Sequence, residues 1–225
     1  MYNQSAERKQ FNPVQFIQFK AWWIVGGVML MAMFLSAPGS AQNTNLDQPS
    51  SEFRATFVRQ GVDFKYYNQF ILKTLNVEHT RLIPPPWVEN PDPRKWQLSD
   101  TNKDFLRGAY RQAMKIGLEE SGEFIVVSKP ARGVLELEIS LVSLAPYARQ
   151  GEKVTTQGYG GLTFEAALRD ARSGELLALY EGTQKVGEDY NENTEFNKAS
   201  NLTQHFTDWG RRVSARMAAA HEANR

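Results

Sequence analysis

The sequence contains no cysteine and almost no excess of charge of either sign. Its 225 residues include 26 Lys and Arg against 25 Asp and Glu, a formal net charge of +1. Without cysteine there can be no disulfide framework, thiolate zinc site, thiol nucleophile or cysteine-linked lipid anchor. A balanced charge argues against a protein that binds nucleic acid by broad phosphate neutralisation, because such proteins are strongly basic.

Histidines and glycine motifs are too sparse to indicate a catalytic or metal site. The three histidines, His79, His205 and His221, are far apart and lack the spacing of a helical zinc site. His205 lies beside an apolar helical stripe, which favours a packing role, and His221 lies near a chain end that we expect to fray. The glycines of residues 158–161 precede a strand, whereas nucleotide-binding glycines follow one, so they predict a flexible strand entry. We therefore predict no catalytic residue, no cofactor and no metal.

What the sequence does contain, first of all, is the pattern of an export signal. Residues 1–20 are polar with three basic residues and one acidic residue, Ala21–Leu35 carry no charge, and small residues follow up to Ala41. This order is typical of a secretory signal cleaved after Ala41. The alternative is an uncleaved membrane anchor over residues 21–41, since about 20 residues span a bilayer. Both interpretations predict export to the periplasm, because the basic residues precede the apolar run.

The remainder divides into a short tether and one domain. Residues 42–53 are polar without periodicity and predict a flexible linker. Residues 54–222 alternate between strand-like and helix-like patterns, at a length that suits a single domain.

Strand patterns dominate the middle of this domain. Leu135, Leu137 and Ile139 alternate with polar residues, which predicts a half-buried strand, and the parity changes after Leu141, which predicts a bulge or the end of the strand. Ser173 and the glycine after it predict a hairpin turn. The predicted strands cover residues 70–77, 124–128, 135–141, 162–168 and 176–182. Residues 146–158 predict a connecting loop, and residues 187–197 a mobile loop.

Two helices complete the predicted fold. The first follows the capping residues Ser99 and Asp100 and stops at Gly122. The second follows Ser200 or Asn201 and has an apolar stripe that ends at Ala220. The order of elements predicts an α+β fold, a mostly antiparallel sheet of four to five strands with two main helices packed on one face.

A proline cluster between the first strand and the first helix is the candidate binding surface. Pro84, Pro85 and Pro86 form a stiff, extended run that cannot join a central sheet, and Trp87 and Trp96 flank the cluster. One interpretation is a loop that docks a partner. The other, which we favour, is a loop whose tryptophans seal one end of the core, because buried aromatic residues are the commoner case.

One pair of carboxylates offers the alternative of an enzyme. Glu136 and Glu138 point to the same face of one strand, and paired carboxylates can perform acid–base chemistry when burial separates their pKa values. Their alternation with leucines favours a solvated face instead.

Several segments resemble a known family. Gly61–Val77, the helix segment DFLRGAYRQAM, the strand segment GVLELEISLVSLAP and the hairpin GGLTFEAALRDARSGELLALYEG, with Asp208 and Trp209 in the last helix, are similar to the bacterial envelope family called domain of unknown function 3313. The resemblance covers most of residues 53–220 and implies an α/β envelope protein. Members are often lipoproteins, a pattern from which this cysteine-free chain departs, and the resemblance supplies no catalytic residues.

Together these observations predict an exported, non-enzymatic interaction or structural module. Its expected partner is an envelope protein or a cell-wall component, with no nucleic acid, and its membrane contact is confined to the N-terminal segment if that segment stays uncleaved. The alternative function is a periplasmic hydrolase or carbohydrate-binding protein that uses a cleft carboxylate such as Glu136 or Glu138.

Overall fold

A computed structural model describes residues 54–222. The predicted signal or anchor over residues 1–41 and the predicted tether over residues 42–53 lie outside the described residues. Within the described range, no helix is both long and apolar enough to cross a membrane. The strands, numbered along the chain, are β1 (Arg54–Val58), β2 (Gln69–Leu72), β3 (Arg81–Leu82), β4 (Ile125–Val126), β5 (Val134–Pro146), β6 (Thr155–Gln157), β7 (Gly160–Asp170), β8 (Leu176–Val186) and β9 (Tyr190–Glu192).

Seven of these strands form one mixed sheet. Its order is β1-β8-β7-β5-β2-β4, and β3 pairs with β5 beyond the end of β2. The pairs β1–β8, β8–β7 and β7–β5 are antiparallel, whereas β2 runs parallel to both β4 and β5, and β3 also runs parallel to β5. The predicted α+β class is correct, and the strand count and mostly antiparallel pairing are only partly matched.

The difference comes from the parallel half of the sheet. A parallel pair needs a crossover connection, and here a long helix separates β2 from β4 in the chain. Strands that are neighbours in the sheet are therefore distant in the sequence here, and the order of the elements along the chain did not predict this pairing. The strand predicted over residues 70–77 ends at Leu72, and its second half contacts β5 through an isolated bridge from Asn76 to Ser140.

The antiparallel half follows the prediction closely. The predicted hairpin joins β7 to β8, and Asp170 accepts the backbone N–H groups of Arg172 and Ser173 at 3.0 and 2.7 Å. The register between β5 and β7 shifts between Leu141 and Ser143, which confirms the predicted bulge. The first strand of the sheet, β1, was not predicted. Its five residues are exposed or half-buried, without a regular alternation along the strand.

Two helices, α1 (Asp100–Glu119) and α2 (Glu195–Glu222), cover the sheet. Ser99 caps α1 as predicted, its hydroxyl accepting the backbone N–H of Asn102 at 3.2 Å, and Gly122 beyond the helix has a φ of +75°. The second helix begins six or seven residues earlier than predicted. Thr194 is the capping residue there, because its hydroxyl accepts the backbone N–H of Asn197 at 3.2 Å.

The two helices cross at a pair of glycines. A Cβ on Gly117 would collide with the carbonyl oxygen of Thr207, and one on Gly210 would lie 2.6 Å from the carbonyl oxygen of Met114. Tyr110 also contacts Phe206 edge to face, with ring centroids 5.6 Å apart. Because Tyr110 and Met114 meet Phe206 and Gly210 in the same order, the helices run in the same direction and both begin at one end of the sheet.

The core lies between the helices and the inner face of the sheet. It consists of buried apolar residues from every layer, among them Phe70, Leu106, Tyr110, Phe124, Leu137, Phe164, Phe206, Trp209 and Met217. The predicted apolar stripe of α2 is buried at Leu202, Phe206, Trp209, Met217 and Ala220 and half-buried at Val213.

The two predicted loops beyond β5 and β8 are partly regular. Residues 146–158 contain β6 and residues 187–197 contain β9 and the first turn of α2, so the assignment of both as loops was wrong in these parts. Strands β6 and β9 pair with each other, apart from the main sheet. Three-residue strands carry too little periodicity to be recognised before their partner is known.

Candidate functional site

The predicted proline loop links β3 to α1 and passes over the end of β5. Its start is anchored by the backbone N–H of Ile83, which donates to the carbonyl oxygen of Leu144 at 2.7 Å. A turn follows, in which Val88 N–H donates to the carbonyl oxygen of Pro85 at 3.0 Å. The stiff triple proline therefore holds a defined path across the sheet end.

The tryptophans do not seal the core as we favoured. Trp87 is 58% exposed, and neither Trp87 nor Trp96 belongs to the buried cluster. The physical reason is that Pro85 is the buried residue of this loop, and the rigid chain on either side of it leaves the indole of Trp87 in solvent. Trp96 is half-buried and faces a groove.

This groove, which we call the end groove, lies where the proline loop meets the N-terminal ends of both helices. Its volume is about 640 Å³. Four parts of the chain line it. The proline loop and the end of β3 contribute Leu82, Val88, Glu89, Asn90, Pro91, Asp92, Lys95, Trp96, Gln97 and Leu98, and α1 contributes Asn102. The segment from the end of β5 to the start of β7 contributes Pro146, Ala148, Arg149, Gln150 and Tyr159, and α2 contributes Glu195 and Lys198.

Local hydrogen bonds hold the walls of the end groove in place. Asp92 accepts the backbone N–H of Arg94 at 3.1 Å and also pairs with its guanidinium group, which fixes a short 3-10 turn at Pro93–Lys95. On the facing wall, the side-chain amide of Asn193 donates to the carbonyl oxygens of Arg149 and Glu152 at 2.9 and 2.7 Å. The groove is thus bounded by segments that are already ordered.

Tyr159 enters the groove from a turn that only glycine can form. Gly158 before it has a φ of +69°, and a Cβ there would collide with the carbonyl oxygens of Val186 and Gly187. The glycines predicted to form a strand entry do precede β7. Burial raises the pKa of Tyr159 to about 12, and Glu195 adds to this effect.

Exposed hydrophobic side chains lie on segments next to those that line the end groove. Of the ten large hydrophobic residues exposed in the described range, five lie on the segments next to the groove or on the β6–β9 pair. They are Ile83 (45% exposed), Trp87 (58%), Val154 (38%), Tyr190 (74%) and Phe196 (80%). We call these five residues the hydrophobic rim. Exposed hydrophobic residues gathered in this way are a signal of an interaction site.

A second groove lies at the opposite end of β5 and β7. It has a volume of about 970 Å³ and is bounded by residues 57–63, by Tyr66 and Tyr67, and by Gly133 and Asp170. The phenol of Tyr67 donates to the carboxylate of Asp170 at 3.0 Å. Burial, reinforced by this hydrogen bond, raises the pKa of Tyr67 to about 12. Two of the charged residues that line this groove, Arg59 and Glu175, form an ion pair with each other.

The paired glutamates are on the outer face of the sheet. Glu136 and Glu138 are half-buried, and they alternate with buried Leu135, Leu137 and Ile139 as predicted. The ammonium group of Lys73 lies 3.8 Å from the carboxylate of Glu136. The two residues line neither of the grooves described above.

The histidines have structural surroundings. His205 packs on Trp209 with ring centroids 5.0 Å apart, and burial lowers its pKa to about 4. Nε2 of His221 lies 3.2 and 3.1 Å from the carbonyl oxygens of Phe64 and Tyr67, so this end of α2 is anchored and our expectation of fraying was wrong. Among residues 54–222 no three His, Asp or Glu side chains are grouped closely enough to hold a metal ion.

Residues 39–213 match the family described as "Protein of unknown function (DUF3313)". The chain belongs to this family. The match confirms the resemblance found in the sequence, and it includes the proline loop, both grooves and most of α2. No curated protein matches the chain in sequence.

Solved structures provide distant likenesses. One is protein XCC0632 from Xanthomonas campestris, with 14% identity, 69% of this chain and 87% of that chain covered, and a TM-score of 0.38. A second is the PelC dodecamer from Paraburkholderia phytofirmans, with 12% identity, coverage of 73% and 96%, and a TM-score of 0.39. A third is a minor lipoprotein from Acinetobacter baumannii, with 13% identity, coverage of 68% and 94%, and a TM-score of 0.27. These scores are too low to carry an argument about function.

Proposed function

We propose that this protein is an exported binding module of the cell envelope, and that it holds an envelope component in the end groove. The observation that carries the proposal is the hydrophobic rim beside an ordered groove. Trp87 and Phe196 are the largest exposed side chains next to residues that line the groove. Aromatic residues with this exposure are typical anchors of a binding surface.

Export is the part of the proposal that rests on sequence. The basic, then apolar, then small-residue order of residues 1–41 supports transport out of the cytoplasm. A periplasmic location follows from it, with an attachment to the inner membrane if residues 21–41 are retained as an anchor.

The enzymatic alternative has less support. Acid–base catalysis by two carboxylates needs a cleft that holds a substrate between them. Glu136 and Glu138 lie instead along one strand on the outer face of the sheet, and Glu136 is already paired with Lys73. A binding role therefore accounts for the described residues with fewer assumptions.

Photo-crosslinking in intact cells tests the proposal. A photoreactive amino acid is placed at Trp87 and, in a second strain, at Phe196. We expect both positions to yield an adduct of the same partner, identified by mass spectrometry. Adding Trp96→Ala inside the groove is expected to reduce the yield several-fold, because it removes an apolar wall of the groove.

The matched control is a photoreactive residue at Ile116, which is 52% exposed on α1 and does not line the end groove. Equal yields of the same adduct from position 116 would contradict the proposal, as would no adduct from positions 87 and 196. Replacing Trp87 alone with Ser should change the free energy of unfolding by less than about 0.5 kcal/mol, since surface substitutions seldom do more.

A further inference from the structure

We infer that the end groove binds an uncharged oligosaccharide chain, an inference that rests on the proposed function and names its ligand. Three features of the lining support it: the balance of charge, the carboxamide side chains and the two aromatic faces. Each points to a ligand that is rich in hydroxyl groups and carries no net charge.

The charges that line the groove cancel. Three are acidic, Glu89, Asp92 and Glu195, and three are basic, Lys95, Arg149 and Lys198. Asp92 is paired with Arg94, and Glu195 is paired with Lys198 at 3.0 Å. With these pairs set aside, Glu89, Lys95 and Arg149 leave an excess of one positive charge, which is too small for charge alone to be the basis of recognition.

Four carboxamide side chains line the same groove: Asn90, Gln97, Asn102 and Gln150. A carboxamide both donates and accepts hydrogen bonds, and so does a sugar hydroxyl group. Tyr159 also lines the groove, and its phenol both donates and accepts hydrogen bonds. This set of polar groups suits repeated hydroxyls better than it suits a single charged group.

Trp96 and Tyr159, both half-buried aromatic residues, line the groove among these polar groups. A pyranose ring has a face of C–H bonds that packs on an aromatic ring, while its hydroxyl groups point sideways to polar partners. A volume of about 640 Å³ lies within the range of about 300–1,000 Å³ that is usual for small-ligand sites.

An extended peptide has less to bind to in this groove. Peptides that add to a sheet require an unpaired strand edge. At the groove, β5 is paired on one edge with β7, through Pro146 and Gly160, and on the other with β3, through Leu144 and Leu82. A peptide therefore has no edge of β5 to pair with at this end of the sheet.

The inference is tested by titrating the purified full-length chain with neutral tetrasaccharides. Tryptophan fluorescence and calorimetry measure the binding. The probes are chitotetraose, cellotetraose and maltotetraose, with an acidic tetragalacturonate as the charged comparison. We expect at least one neutral probe to bind and to perturb the fluorescence of Trp96, and we expect the acidic probe to bind no more tightly.

Variants connect that binding to the end groove. Trp96→Ala should weaken binding at least tenfold, and Gln97→Leu, at an exposed position where folding is not at risk, should weaken it several-fold. The control Phe105→Ala on the outer surface of α1 should leave binding unchanged. Binding that survives both groove variants would overturn the inference.

Failure of the inference is distinguishable from failure of the proposed function. If no neutral probe binds while positions 87 and 196 capture one identified protein in cells, the groove is a protein interface and the oligosaccharide inference is overturned. If no probe binds and neither position gives an adduct, both the inference and the proposed function are overturned.

Discussion

The crossing of α1 and α2 and the end groove lie along the same two helices, yet they differ in how closely their atoms approach. At the crossing, Gly117 and Gly210 allow backbone-to-backbone contact. At the N-terminal ends of the same helices, the surfaces separate into a groove with five exposed hydrophobic residues beside it. The comparison suggests that the helix pair is a rigid support and that its open end carries the function, since binding residues are usually held by a scaffold that does not move.

A matched pair of glycine substitutions tests the close contact at the helix crossing. One of them, Gly117→Ala, has the largest expected effect. Gly117→Ala should lower the free energy of unfolding by about 3 kcal/mol, because the new Cβ meets the backbone of α2. Gly108→Ala on the same helix should raise it by about 0.5–1 kcal/mol, because nothing lies within 4 Å and alanine favours a helix. Urea denaturation measures both values. A similar result for the two variants would show that the helices are not in close contact.

Lowering the pH should reduce the free energy of unfolding through His205 of α2, by less than the Gly117→Ala substitution does. Burial is the main cause of its lowered pKa of about 4, with Arg212 adding to it and Asp208 opposing it. In the unfolded chain a histidine titrates near pH 6.5, so between about pH 6.5 and pH 4 only the unfolded state gains the proton. Stability should therefore fall as the pH is lowered through this window, by about 2 to 3 kcal/mol from this residue alone.

The measurement is the free energy of unfolding from pH 7.5 to pH 4.5, compared between the wild type and His205→Leu. The variant should lose less stability over the window than the wild type does. Ile116→Leu, at an exposed position of α1, is the control and should keep the wild-type slope. An identical slope in His205→Leu would mean that the imidazole is accessible to solvent.

Two tyrosine hydroxyl groups give the smallest expected effects and compare the core with the groove at the opposite end. Tyr67→Phe removes the 3.0 Å hydrogen bond to Asp170 and should cost about 1 kcal/mol. Tyr110→Phe removes a buried hydroxyl group that has no hydrogen-bond partner among the described residues, and it should cost nothing or stabilise the protein by up to about 1 kcal/mol. Thermal denaturation of both variants measures the difference. A large loss in Tyr110→Phe would indicate a bound water at that hydroxyl group.

The local patterns of the sequence predicted the elements that carry their own signals. Ser99 and Gly122 marked both ends of α1, and the parity change after Leu141 marked the bulge of β5. Each of these signals acts over a few residues, through a cap, a turn or the alternation of side chains. The start of α2 was missed because the capping residue, Thr194, precedes the buried apolar stripe, which begins only at Leu202.

The candidate site was predicted only in part. The proline loop was identified as the candidate binding surface because three consecutive prolines and two tryptophans stand out in any sequence. The packing role we favoured for its tryptophans was wrong for Trp87, which is exposed. The contributions of Tyr159, Gln150 and Glu195 carry no local signal, because they join the groove across long sequence separations.

The sequence by itself determined the absence of thiol chemistry, the near balance of charge, the α+β class and the family, because each depends on residue identity or on short-range pattern. Only the tertiary structure decided the parallel half of the sheet, the contact of Gly117 with α2 and the assembly of the end groove. Each of these depends on which distant segments meet. Contacts between distant segments are determined by the burial of apolar surface over the whole chain. The sequence of a single segment does not contain that information.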